Sequence, residues 1–150
     1  MFKIAALVER MSLNQNIYYL TKSFNELARS HEYSPCIYYH NLSAVGLTTH
    51  FSISNIYYAN LFNDGVMIAT CLETLKTLNN INSKCRKYYY CQDLEWLRTV
   101  YEYESIVSLF KSDVKIIARS LSHARNIENY SNKKVDHLMT NWDINKLKVL

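Results

Sequence analysis

Glycine and proline are scarce: two glycines, Gly46 and Gly65, and one proline, Pro35, occur in 150 residues. A dinucleotide-binding fold places a G-x-G-x-x-G loop after its first strand, because only glycine lets the backbone close on a pyrophosphate. The corresponding stretch here is Glu9-Arg10-Met11-Ser12-Leu13-Asn14, which has no glycine. Tight binding of NAD or FAD is thereby argued against. A P-loop is absent as well, and no cofactor is expected.

Other absences narrow the class further. The four cysteines, Cys36, Cys71, Cys85 and Cys91, form no C-x-x-C pair, and no histidine stands near them at zinc-finger spacing. Cys36, Cys85 and Cys91 sit in apolar runs, where a free thiol behaves as a small buried hydrophobe. Reduced core cysteines in a cytoplasmic protein, with no metal site, are the expectation. His31, His40, His50 and His137 share no ligand-like spacing. No apolar run approaches the roughly 18 residues that cross a bilayer, and no secretory leader opens the chain. The net charge is +4, and the densest basic groups, Lys84-Cys85-Arg86-Lys87 and Lys133-Lys134, are short. A nucleic-acid partner needs a concentrated basic stripe, so these groups read as solvated ends of elements.

Asn, Ile, Lys and the 13 tyrosines are abundant. This bias suits an AT-rich genome, such as that of a phage or virus, and says nothing about chemistry. The length suits one domain with its own core.

Apolar patterning predicts that domain to be α/β. Phe2 to Val8 is a nearly continuous apolar run, as in a central parallel strand buried on both faces. Ser12 and Gln15 have capping-box spacing, which predicts a helix from Ser12 to Arg29 with Leu13, Ile17, Leu20, Phe24 and Leu27 inward. Strands are expected at 36–40, opened by Pro35, and at 65–70, after the turn Asp64-Gly65. Between them, 51–53 reads as a short strand and 55–62 as a short helix. Thr70 and Glu73 fit a second capping box, opening a helix to Asn80 with Leu72, Leu75 and Leu78 inward. A strand at 86–91, a loop at 92–99, and a helix at 103–111 presenting Ile106, Val107 and Phe110 follow. The chain closes with a strand at 114–118, a helix at 120–130 burying Leu121, Ala124 and Ile127, and a strand at 134–139. The tyrosine runs 38–39, 57–58 and 88–90 are expected to alternate between core and surface. Parallel strands need helical crossovers, so the alternation predicts a single Rossmann-like, doubly wound, mainly parallel sheet with helices on both faces over residues 1–150.

Ligands of such sheets bind outside the carboxyl ends of the strands, where strand order switches. The loops so selected are 9–14, 70–71, 92–96 and 119–123. Gln92-Asp93-Leu94-Glu95-Trp96 is the most unusual. Its acids could hold sugar hydroxyls or act as a base while Trp96 stacks on a ring; alternatively Asp93 caps the next turn and Trp96 covers the sheet end. Ser120, Ser122 and His123 could bind an anion at a helix start, or Ser120 or Ser122 could simply cap it. Glu9 and Arg10 could contact a ligand or pair with neighbours, and Thr70 completes the candidate set. No nucleophile–base pair stands out.

Several stretches resemble the first domain of GT-B glycosyltransferases, of the family 4 or rhamnosyltransferase-like kind. They are Lys3 to Arg10, Tyr88 to Trp96 with its Gln-Asp-x-Glu loop, Val114 to Tyr130, Lys134-Val135, and Thr140 to Leu147. In that family a strand leads to a serine-started helix, a strand, and an Asn-Gly-x-Asp turn. This chain has Thr140-Asn141-Trp142-Asp143 instead, and Asn141 can adopt the left-handed backbone that glycine supplies. The resemblance implies an acceptor-side half that binds a sugar or glycan and needs a partner chain, because the second domain, which holds most of the nucleotide-sugar site, is missing. That half would have a polar cleft containing Glu9, Gln92, Asp93, Glu95 and His123. The alternative is a non-catalytic protein-binding module on the same fold, for example one acting on a host factor. A weak nucleic-acid binder is the third reading.

Overall fold

The computed structural model describes residues 1–43 and 46–150. Seven strands, β1 (Phe2–Met11), β2 (Tyr33–Leu42), β3 (Ser52–Asn55), β4 (Val66–Ala69), β5 (Arg86–Cys91), β6 (Lys115–Ala118) and β7 (His137–Leu138), form one sheet. Their order is β3-β2-β1-β4-β5-β6-β7, and every pairing is parallel. The chain therefore winds outward from β1 to β3, returns to the other side of β1, and winds outward again. Helices α1 (Gln15–Arg29), α2 (Leu72–Asn80), α3 (Tyr103–Phe110) and α4 (Leu121–Ser131) lie in crossovers between strands, the short α5 (Ile144–Leu147) follows β7, and 3-10 turns stand at Ile56–Leu61 and Glu95–Leu97. The doubly wound α/β architecture expected from the alternation is the one found.

Strand periodicity divides the core into two layers. Ile4, Ala6, Val8, Val66, Ile68, Tyr88, Tyr90 and Ile117 pack with α1 and α5 residues on one face. Ala5, Leu7, Met67, Ala69, Tyr89, Cys91, Ile116 and Ala118 pack with α2, α3 and α4 residues on the other. Because both faces are covered, Tyr88, Tyr89 and Tyr90 are all buried, which corrects the expected alternation of core and surface. Each phenol finds an acceptor: Tyr88 donates to the Leu150 carbonyl (3.0 Å), Tyr89 to Glu95 (3.0 Å) and Tyr90 to the Met139 carbonyl (2.7 Å). Tyr57 and Tyr58, on the 3-10 turn, are both exposed instead.

Boundaries moved where particular contacts intervened. β1 runs on to Met11, pairing Arg10 and Met11 with Asn41 and Leu42, so α1 starts later than Ser12. Asn14, not Ser12, caps that helix through Oδ1, which accepts from Ile17 N at 3.0 Å. Leu13 falls outside the helical stripe and is exposed. Pro35 lies inside β2 rather than opening it. β3 pairs with β2 only from Cys36 onward, so Pro35 stands where β2 is locally an edge and its missing N–H costs no ladder bond there. At α2 the expected Thr70/Glu73 box is replaced by Thr74, whose Oγ1 accepts from both Thr70 N and Cys71 N at 3.0 Å. Leu121, in the first turn of α4, is exposed rather than inward. β7 shrinks to two residues because Val135 N is taken by the Glu128 carboxylate at 2.9 Å.

Gly65 is positioned by sterics. Its φ is +91°, and a Cβ there would lie 2.2 Å from the Lys3 carbonyl oxygen of β1. Only glycine fits where β4 begins beside the central strand.

Candidate functional site

Strand order reverses between β1 and β4, and a cleft of about 260 Å³ opens at their carboxyl ends. Among the candidate residues it is lined by Glu9 and Arg10 from β1, Thr70 after β4 and Gln92 after β5. Asn14, Asn16, Cys71 and Trp142 complete its polar and aromatic wall. Three of the four loops singled out at the sheet's carboxyl edge thus contribute a residue to one cavity, as the switch-point rule requires.

Gln92 is the most informative of these residues. It is 9% exposed and follows Cys91, the last of the four buried residues that end β5; its amide atoms are not among the buried, unpartnered polar atoms. It lines the cleft, and an amide there can both donate and accept. Thr70 is partly committed, donating from Oγ1 to the Leu7 carbonyl at 2.8 Å. Glu9 and Arg10 are exposed at the rim, with Asn41 Nδ2 donating to Glu9 at 3.5 Å. Burial pushes the Cys71 thiol up, against hydrogen bonds from Thr74 that pull it down and with the Glu95 and Glu9 charges adding to the rise. The sulfur is therefore a protonated thiol rather than a thiolate nucleophile.

Trp142 was not among the sequence candidates, yet it forms the floor. It is 1% exposed, packs edge-on against Tyr90 (5.0 Å) and Phe24 (6.2 Å), and leaves its indole N–H without a partner. Asn141 and Trp142 both have left-handed backbones, φ 49° and 58°. The turn expected at Asn141 therefore forms, but it extends to a bulky residue for which that region is strained. Ser23 Oγ donates to the Trp142 carbonyl at 2.6 Å and holds the turn against α1. Asn14 and Asn16 were also missed, since their approach to the cleft depends on where α1 starts.

The remaining candidates lie elsewhere. Glu95 accepts from Leu72 N through Oε2 and from Tyr89 OH through Oε1, both at 3.0 Å, so it closes the start of α2. Burial raises its pKa, against the pull of those two hydrogen bonds. Asp93 caps Leu94 N at 2.8 Å and pairs with Arg98. Trp96 stacks on Tyr130 with ring centroids 4.4 Å apart and planes 12° apart, and meets Phe110 edge-on. The loop 92–96 therefore follows the structural alternative except at Gln92. Ser120 caps α4, accepting from His123 N at 3.2 Å, and Ser122 is exposed. His123 is buried; its Nδ1 accepts from Arg119 N at 3.4 Å, while Nε2 has no partner. Burial, and then the Arg119 charge, lowers its pKa. Asp93, Glu95 and His123 do not line the switch-point cleft, which corrects the expectation of one cleft holding all five residues.

No family model, curated protein or solved structure matches the chain. Among the described residues no group of three or more His, Cys, Asp or Glu is placed to hold a metal ion, and no helix is long and apolar enough to cross a membrane.

Proposed function

We propose that the chain binds a small, hydroxyl-rich, sugar-like ligand in the switch-point cleft, as the acceptor-side half of a glycosyltransferase scaffold of the GT-B type. The reading rests on Gln92, whose side chain lines a cavity at the reversal of strand order together with Glu9, Arg10 and Thr70. An amide offers both donor and acceptor, as a vicinal diol does. Glu9 adds a carboxylate acceptor, Arg10 and Asn16 add donors, and the Trp142 indole adds an aromatic wall. Such a mixture of few polar groups on an apolar floor is what orients a small polar ligand.

Calorimetric titration with a panel of monosaccharides and nucleotide sugars tests this. A saturable heat that weakens about tenfold in Gln92→Leu, the loss of one ligand hydrogen bond, supports it. No binding by any member of the panel at millimolar concentration sinks it. The protein-binding alternative is favoured by a separate feature, the 3-10 turn on which Tyr57 is 83% and Leu61 is 74% exposed. That reading predicts that Tyr57→Ala abolishes a stable protein complex while sugar titrations stay silent.

A further inference from the structure

Charge is missing from one side of the molecule. Residues 33–63 contain no Asp, Glu, Lys or Arg, although 20% of the chain is charged. The span includes β2, β3 and the 3-10 turn at Ile56–Leu61, which together make one margin of the sheet, ending on β3. The opposite edge strand, β7, is guarded: it is two residues long, and Lys133, Lys134 and Asp136 stand just before it. β3, Ser52-Ile53-Ser54-Asn55, has no charge and no proline, and among the described residues no strand pairs with its outer side.

The backbone of that edge is open. Phe2 N donates to the Glu32 carbonyl at 2.7 Å, so the even-numbered residues of β2 turn their N–H and C=O groups to β1 and the odd-numbered ones to β3. Ile37 is paired with Ile53 and so bonds to Ser52 and Ser54, which leaves the N–H and C=O of Ile53 facing outward. The side chains on this margin are accessible as well: Ile53, Tyr57, Tyr58 and Leu61 are all exposed. Aromatic and aliphatic groups without charge are the composition of an interface core rather than of a solvated surface.

We propose that two copies of this chain pair through β3, antiparallel across a two-fold axis at Ile53, which joins their sheets into one. At the axis the two Ile53 residues exchange both N–H···O=C bonds, and the same surface serves on each copy, as an isologous interface requires. The two 3-10 turns, with Tyr57, Tyr58 and Leu61, then stand at either end of the paired strands. Charge favours a second copy over a different protein. Each copy carries a net charge of +4, and at this margin two of them meet with no like charges opposed, while a charged partner would find nothing there to pair with. The cleft lies between β1 and β4, away from this edge, so the pairing stands whether or not the cleft binds sugars.

Sedimentation of the full chain over a concentration series tests this, with hydrogen exchange as a second readout. Wild type passes from monomer to dimer as concentration rises, and exchange at the Ile53 amide slows in step, since that N–H faces outward in the monomer. Ile53→Lys sets two ammonium groups against each other at the axis and weakens the dimer by about tenfold or more. Tyr57→Lys, at a side chain exposed in the monomer and therefore harmless to the fold, weakens it by about threefold or more. Val100→Lys, exposed in the loop after β5, leaves it within about twofold. A chain that stays monomeric up to about millimolar concentration overturns the proposal and leaves the open edge to a strand of another protein. A dimer that Ile53→Lys and Tyr57→Lys leave intact also overturns it, as does an equal loss in Val100→Lys or a dimer that does not slow exchange at Ile53.

Discussion

Replacing Gly65 by alanine removes the one glycine that the fold cannot do without. The residue sits at φ +91°, where a side chain costs about 1–2 kcal/mol. The added Cβ would also meet the Lys3 carbonyl oxygen at 2.2 Å and the carbonyl carbon at 2.9 Å. Both are backbone atoms of the central strand, so no rotamer change relieves the clash. The start of β4 must move away from β1 by about an ångström. That motion strains the first β1–β4 pairing at Ile4↔Val66 and the bond from Arg86 N to the Gly65 carbonyl at 2.8 Å. Losing one or two such bonds adds about 1–3 kcal/mol, for a total near 3–5 kcal/mol. With a urea slope of about 2 kcal/mol per molar, the unfolding midpoint falls by roughly 1.5–2.5 M. Gly46, the other glycine, has nothing within 4 Å of a built Cβ. Its alanine variant therefore unfolds within about 0.5 kcal/mol of wild type, or slightly above it through reduced chain entropy. A cost below about 1 kcal/mol for Gly65→Ala would refute the steric reasoning and with it the stated contact between β1 and β4.

Two further predictions concern buried polar groups. Glu95 has a folded pKa raised above its ordinary 4.5, chiefly by burial. The native state therefore holds this proton more tightly than the unfolded chain, and stability declines as pH rises from about 4.5 through the folded pKa. Urea midpoints measured at pH steps across that window should show the decline in wild type and lack it in Glu95→Gln; an identical pH slope in both proteins would count against the assignment. Trp142→Ala, which empties the floor of the cleft, costs about 3–5 kcal/mol in the same assay. Trp142→Phe costs less than about 1.5 kcal/mol, because the ring contacts to Phe24 and Tyr90 persist and an unpartnered N–H is removed. Equal costs for the two variants would show that the ring contacts contribute little.

Much of the architecture was legible because both of its signals are local. Apolar runs such as Ile4 to Val8 mark strands covered on two faces, and Leu72, Leu75 and Leu78 mark a helical stripe, with no knowledge of the neighbours. The errors came where a distant group intervened. Glu95 reaches back 23 positions to Leu72 N, and spacing cannot reveal that a carboxylate beside a core strand is closing another helix. Ser12 and Gln15 satisfied the capping pattern, yet the β1–β2 ladder carried the strand to Met11 and gave the cap to Asn14. The site was half legible. Strand-end logic selected Glu9, Arg10, Thr70 and Gln92 without knowing the strand order. Trp142 was hidden, because only the packing of the final turn against α1 brings it under the cleft.

The most direct test of a ligand site at the switch point is an NMR titration that follows side-chain amide and backbone N–H signals as a monosaccharide or nucleotide sugar is added. The predicted result is a saturable shift of the Gln92 side-chain amide together with the backbone amides of Arg10, Asn16 and Cys71, all lining the same cavity. If every probe leaves the Gln92 amide unmoved, or shifts only residues outside that cavity, the switch-point cleft is not the binding site.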